Sequence, residues 1–408
     1  MRIAVVVVLV FACIAANGSA RTLRVPPGRP GIAAYFTRRS YRPGELARLV
    51  VRGRRPAAIE IFEIGSAPAW SQAPDELTGT PVTRLISTNA LGTRNGLLIR
   101  VGDWTSGLYF ARLSGHGLIG YATFVVRPRH LGAARVAVVL PTNTWQAYNF
   151  RDDDGNGLGD TWYADPAMPT VNLERPFLDR GVPPHFKGYD YGFLAWLAQS
   201  GHQADFLTDD DLGRLPGERL AHLYDLIVFP GHTEYVTTTE FDAVARYRDL
   251  GGNLMFLSAN NFFYRVVRRG ETITRAGRWR DLGHPEANLI GAQYVDWNHD
   301  TYPNRPYVVT GVHKTPWLFR HTGLRDGDSF GTYGIEIDAP AVSSPSRVQV
   351  IATITDEFGP GKSADMTYYE TADGAKVFDA GVINFGGTAR SKPVSTMIEN
   401  LWVHLSST

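Results

Sequence analysis

Hydrophobic residues change their spacing once along this chain. Between residues 21 and 128 they come in short stretches of strand length, at 46–52, 58–63, 97–101, 107–113 and 118–126. Turn-forming residues at 42–44, 65–68, 93–96 and 114–117 separate them. That rhythm predicts a small immunoglobulin-like β-sandwich over 21–128. Arg127-Pro128-Arg129 closes it as a linker. Beyond it the apolar runs become continuous. Stretches 134–140 (ARVAVVL), 225–230 (DLIVFP) and 253–258 (NLMFLS) read as strands buried on both faces of a parallel sheet. Helical apolar spacing fills 191–200 and 239–250, stopped by Gly201 and by Gly251-Gly252, and 204–207 is a further short strand. Later strands are expected at 308–310, 348–353 and 377–385, and a closing helix at 397–405. The fold class is therefore α/β: a mostly parallel sheet flanked by helices over 129–408, preceded by the sandwich.

The first residues form a third kind of pattern. Arg2 precedes an unbroken apolar run over 3–16, followed by Asn17-Gly18-Ser19-Ala20. The run is too short to span a bilayer and has the layout of a cleavable secretory signal, residues 1–20. An extracytoplasmic protein with no transmembrane segment after cleavage is expected. Cys13, the only cysteine, lies in that run. The mature chain then offers no cysteine nucleophile, thiolate zinc site, iron–sulfur cluster or disulfide. The full sequence of 408 residues is 44% hydrophobic and 20% charged, enough for a sizeable core. Basic and acidic residues balance, 41 against 40, without a polybasic tract, which argues against a nucleic-acid partner.

Ligands of open α/β sheets bind beyond the carboxyl ends of the strands. Three loops lie there, 141–149, 231–235 and 259–261, and carry Tyr148, His232, Glu234 and Asn260. Polar residues in such loops also cap the helices that follow, and spacing alone leaves both readings open. A second candidate is the acidic turn 152–160 (DDDGNGLGD). Asp152, Asp154, Asn156 and Gly157 match positions 1, 3, 5 and 6 of an EF-hand-type loop, and Asp160 matches position 9, whereas Tyr163 replaces the Glu of position 12. Such oxygen donors suit Ca2+; a solvated turn is the alternative. Asp209-Asp210-Asp211 reads as a helix N-cap cluster, and His185, His202 and His284 as isolated structural histidines.

The segments 142–149 (TNTWQAYN), 208–212 (TDDDL), 230–235 (PGHTEY) and 251–262 (GGNLMFLSANNF), in this order, resemble the N,N-dimethylformamidase large (beta) subunit family over roughly residues 130–405. The resemblance implies a glutamine-amidotransferase-like domain that has lost its cysteine, with a mononuclear Fe(III) held by two tyrosinates and one glutamate. Glu234 matches the glutamate and Tyr148 the first tyrosine. Tyr163 is taken as the second, with Tyr189 and Tyr191 as alternatives. His232 and Asn260 match polar residues lining that site, and Glu370 falls where the family has a further functional carboxylate. The implied activity is hydrolysis of the C–N bond of a small-molecule amide by metal-activated water. His232 or Glu370 would move the proton, and Asn260 would donate to the oxyanion. A small-subunit partner or a homo-oligomer fits the same expectation. The acidic turn stands outside the resemblance. The competing expectation is a secreted glycan- or peptide-binding protein with a structural calcium ion, its stacking surface supplied by Trp145, Trp162, Phe262, Phe263 and Tyr264.

Overall fold

The computed structural model describes residues 28–407 except 54, 66–70, 72 and 94–95. The expected leader, with Cys13, lies outside the described residues. Two sheets make up the N-terminal unit. One pairs Ala33–Phe36, Leu46–Arg52, Gly96–Arg100 and Gly92–Thr93; the other is built on Ala58–Ile64, Gly107–Gly115 and Leu118–Val126. Alternate residues of facing strands share one core, with Phe36, Leu49 and Ile99 meeting Ile61, Tyr109 and Phe124. Burying each such side chain contributes about 1.5–3 kcal/mol. The second sheet is covered on its other face too. Leu108, Phe110, Tyr121 and Val125 turn outward into the core of the following unit.

That unit is organised on a nine-stranded sheet. Its order is Asp205–Thr208, Val136–Leu140, Leu226–Phe229, Asn253–Phe256, Lys376–Asp379, Ala364–Glu370, Gln349–Ile354, Arg305–Val309, Ser329–Tyr333. The first five are parallel. The last four continue antiparallel. The expected sheet is thus only half parallel: it is a mixed sheet whose later strands return as hairpins. Strand residues alternate between two helix layers. Val138, Val228, Met255 and Phe378 pack with Tyr191–Ser200 and Val394–Ser406, while Val139, Ile227, Leu254 and Val377 pack with Gly217–Leu223 and Thr238–Asp249. Coverage on both faces is why these strands are apolar without a break.

The expected 377–385 strand stops at Asp379, and Gly381 (φ +69°) then turns the chain away. Two smaller sheets, absent from the sequence expectation, stand near the carboxyl ends of the parallel strands. One joins Thr170–Asn172, Thr272–Arg278, Tyr264–Arg269 and Tyr235–Thr237; the other pairs Gln293–Trp297 with Glu336–Ala339. Among the described residues no helix is long and apolar enough to cross a membrane.

Candidate active site

Three loops are laced together where the parallel strands end. After Val136–Leu140 the chain enters the fully buried helix Thr142–Ala147, and Tyr148 is its C-cap. Asp209 fixes the start of that helix, accepting Thr142 Oγ1 at 2.7 Å and the Asn143 N–H at 2.6 Å. In the same turn, Thr144 Oγ1 accepts the backbone N–H groups of Glu234 (3.1 Å) and Tyr235 (3.2 Å). The second loop is tied to the third through Asn261 Oδ1, which accepts from Thr233 N at 3.2 Å, and through Phe262 N–H to Thr233 O at 2.7 Å. Gly231 permits a close approach: a Cβ there would come 2.2 Å from Asp190 Oδ1. Asn260 and Phe262 sit in the left-handed region, at φ +55° and +56°. Asn tolerates that region and Phe does not, so the third loop holds local strain.

These ties bring Tyr148, Tyr163 and Glu234 together. The Tyr148 hydroxyl donates to Glu234 Oε2 at 2.7 Å, and the Tyr163 hydroxyl lies 3.0 Å from that of Tyr148 and 3.4 Å from Glu234 Oε2. The two phenol rings stack with centroids 4.7 Å apart. Tyr235 adds a third hydroxyl against that of Tyr163. Glu234 is fully buried. Burial pushes its carboxyl up to about 7, opposed by the Tyr148 hydrogen bond and the Arg275 charge. Three oxygen donors within one hydrogen-bond span, two of them phenolic, form a set that a hard trivalent cation can use.

His232 and Asn260 complete one wall. His232 Nε2 lies 3.6 Å from Glu234 Oε2 and 3.8 Å from Glu336 Oε2. It is buried with no hydrogen-bond partner among the described residues, as is Asn260 Oδ1. Both aim polar atoms into the cluster without spending them. Burial and the neighbouring His185 pull the His232 imidazole down to about 3, which keeps it neutral. Asn260 Nδ2 donates to Glu336 Oε2 at 2.7 Å, and its backbone N–H donates to Asp338 Oδ1 at 2.9 Å. Burial and the Glu234 charge push the Glu336 carboxyl up to about 8.

Several sequence expectations need correction here. Glu370 does not reach the site. It is exposed at the end of Ala364–Glu370, opposite Lys376, with its Oε1 taking the Tyr368 hydroxyl at 2.6 Å. That strand runs antiparallel to Lys376–Asp379, so its last residue lies three positions, roughly 10 Å, back from the carboxyl end. Glu336 stands where Glu370 is expected. His185 is not isolated: its ring stacks on Tyr189 (5.2 Å) and meets Tyr148 edge-on (5.8 Å). Of the alternative tyrosines, Tyr189 also touches His232, with centroids 6.3 Å apart, whereas Tyr191 turns toward Thr78 and Lys187. In the acidic turn, Asp152, Asp154 and Asp160 place carboxylate oxygens within 4.8 Å of one another. Asn156 Oδ1 instead accepts from Leu158 N at 2.8 Å.

The sequence model of the family described as N,N-dimethylformamidase beta subunit-like, C-terminal, matches residues 97–395. It begins inside the N-terminal unit, in the strand Gly96–Arg100 of the first sheet, and takes in Gly107–Gly115 and Leu118–Val126, whose outer face joins the α/β core. Two curated relatives are N,N-dimethylformamidase beta subunits. That of Paracoccus aminophilus is 23% identical over 301 residues, and that of an Alcaligenes species is 23% identical over 303. Each match covers 58% of this chain and 38% of the relative. The chain thus aligns with well under half the length of these relatives. With most of its length matched by the family model, the chain belongs to the N,N-dimethylformamidase beta subunit-like family.

Proposed function

We propose that this protein is a secreted, metal-dependent hydrolase of a C–N amide bond in a small molecule, with Tyr148, Tyr163 and Glu234 holding Fe(III). The observation that carries this reading is the convergence of two phenol hydroxyls and one buried carboxylate within 2.7–3.4 Å, beside a histidine and an asparagine with unspent polar atoms. The names of the curated relatives support the substrate class. We read the two-sheet unit as immunoglobulin-like and the nine-stranded unit as glutamine-amidotransferase-like, and take 1–20 as the export signal.

An Fe(III) ion in this donor set supplies carbonyl polarisation and an acidified water. The remaining work falls to the chain's own groups. Asn260 Nδ2, which gives one hydrogen to Glu336 Oε2, would turn its other toward an oxyanion, a contribution of about 3–4 kcal/mol when aligned. Glu336, steadied by that amide, is placed to carry a proton from the attacking water to the leaving nitrogen. His232, held neutral, offers a ring nitrogen to a hydrogen bond from the water or the substrate amide. The Tyr148 and Tyr163 rings stack and Tyr235 meets Tyr148 edge-on, an aromatic wall that would limit the water reaching these groups.

The test is a metal analysis and visible spectrum of the full chain purified without chelator, followed by an amide screen for released amine. Stoichiometric iron with a phenolate-to-metal charge-transfer band is expected, both lost in Glu234→Ala. Iron-free, colourless protein, or full iron in Glu234→Ala, overturns the assignment. Comparing Tyr163→Phe with Tyr189→Phe identifies the second tyrosine, because Tyr189 also lines the cluster. A glycan- or peptide-binding protein with a structural Ca2+ is the second reading, favoured by the carboxylates at 152, 154 and 160 and by the Trp162, Tyr235 and Tyr264 rings packed 5.1 and 5.5 Å apart. Bound calcium without colour supports it.

A further inference from the structure

We infer that the cleft between the N-terminal two-sheet unit and the α/β unit is a binding site for a tetrahedral oxyanion, phosphate or sulfate, free or as the end group of a larger molecule. It shares no residue with the tyrosine–glutamate cluster. The cavity measures about 150 Å³. At about 30 Å³ per water, that is room for roughly five waters, and so for one such anion with part of its hydration.

Five arginines line it, Arg38, Arg39, Arg127, Arg214 and Arg268, against two carboxylates, Asp210 and Glu271. Two further carboxylates stand behind this lining, Glu45 pairing with Arg38 at 2.6 Å and Asp211 with Arg127 at 2.8 Å, so five guanidiniums meet four carboxylates. Asp210 and Glu271 are shared. Arg39 reaches Asp210 at 3.0 Å and Glu271 at 3.2 Å, and Arg268 contacts the same pair. Burial, and then the proximity of Arg39, pull the Arg268 guanidinium below its ordinary value, opposed by Glu271. Arg127 spends Nη1 on Asp211 at 2.8 Å, but its Nε is buried with no hydrogen-bond partner among the described residues. Arg214 is exposed at the rim and makes no ion pair among the described residues. Thr37 and Ser40 add hydroxyl donors on the same wall. Planar guanidinium forks match tetrahedral oxyanions in pairs of parallel hydrogen bonds. The unpaired charge is that of Arg214 at the rim, set against an enclosed wall in which the paired Arg39, Arg127 and Arg268 keep only 14%, 17% and 22% of their side-chain surface.

Titration calorimetry on the full chain tests this. Sodium phosphate and sodium sulfate are compared with sodium chloride at matched ionic strength. A phosphate monoester and a sulfate monoester of one alcohol form the second arm. Saturable one-to-one binding in the low-millimolar range or tighter is expected, weakened about tenfold or more in Arg127→Met and in Arg214→Met, with iron content unchanged. Arg214 is exposed, so its variant keeps the test valid if Arg127→Met folds poorly. Tighter binding of an ester assigns the site to an end group; tighter binding of the inorganic ion assigns it to the free anion. No heat beyond the chloride control, or unchanged affinity in Arg214→Met, overturns the site and leaves the arginines as a clamp between the two units.

Discussion

Thr144 Oγ1 accepts the backbone N–H of Glu234 at 3.1 Å. Thr144 lies on the first loop and Glu234 on the second, so this hydroxyl sets the position of the proposed ligand without touching it. Both donors it satisfies are buried. Thr144→Val should cost about 1–3 kcal/mol in a denaturant melt, because two buried N–H groups lose their acceptor. Iron retention should fall with it. Thr144→Ser should restore both, which a purely steric role of the threonine methyl would not allow.

Asn260 answers two demands, a left-handed backbone and a side-chain donor. Asn260→Gly keeps the first and loses the second, while Asn260→Ala loses both. Activity on a responsive amide should drop in each by about a hundredfold or more. Stability should drop mainly in the alanine variant, by about 1 kcal/mol of backbone strain. Thermal melts beside kcat measurements separate the two effects. Equal melting of the two variants would contradict the strain argument.

Glu336 and Glu370 make a paired test of which carboxylate serves the chemistry. Glu336→Gln should lower kcat by about a hundredfold or more, the usual scale of a lost proton-transfer group. Glu370→Gln should leave kcat near the parent value, since Glu370 is exposed and bound to Tyr368. The reverse pattern would return the role to Glu370.

Asp209 is buried beneath the first loop, and burial lifts its carboxyl to about 6, against hydrogen bonds from Asn143 and Thr142. Its neighbour Glu240 is raised further by burial and by the Asp209 charge. A carboxyl raised in the fold binds its proton more tightly there than in the unfolded chain. Its contribution is therefore full below about pH 4 and lost as pH rises through about 6. Asp209→Asn removes that loss while keeping an acceptor oxygen for Thr142. Urea melts of variant and parent should diverge in favour of Asn between pH 4 and 7, by on the order of 1 kcal/mol or more. A difference that stays flat with pH would show that Asp209 keeps its charge in the fold.

Gly231 has no room for a side chain beside Asp190. Gly231→Ala should destabilise by about 1–3 kcal/mol through overpacking. Adding Asp190→Ala should recover part of that loss, a coupling that a double-mutant cycle measures directly.

The parallel half of the sheet is legible in the sequence because a strand covered on both faces can carry no polar side, and its end shows as Pro141, Gly231 or Asn260. Tyr148, His232, Glu234 and Asn260 are readable for that reason alone. Glu336 is not. It arrives on a two-stranded ribbon 76 residues after its partner Asn260, and nothing local marks its burial. His185 is hidden for a related cause: a lone histidine in a loop looks the same whether its ring faces core or ligand. The antiparallel strands also mislead, since a carboxylate ahead of the last parallel strand looks near the site until the strand direction is known.

The proposed ligands are far apart along the chain. Tyr148 and Glu234 are separated by 86 residues, and the wall beside them adds a second long closure, Asn260 to Glu336, of 76. The first closure must be made before the three-ligand set exists, and long-range closures form late. A ribosome-bound chain that has exposed Tyr148 and Tyr163 but not Glu234 holds only two phenols. On the proposed assignment, metal capture would be an event of the completed fold, and if the chain is exported it would belong to the compartment where folding finishes.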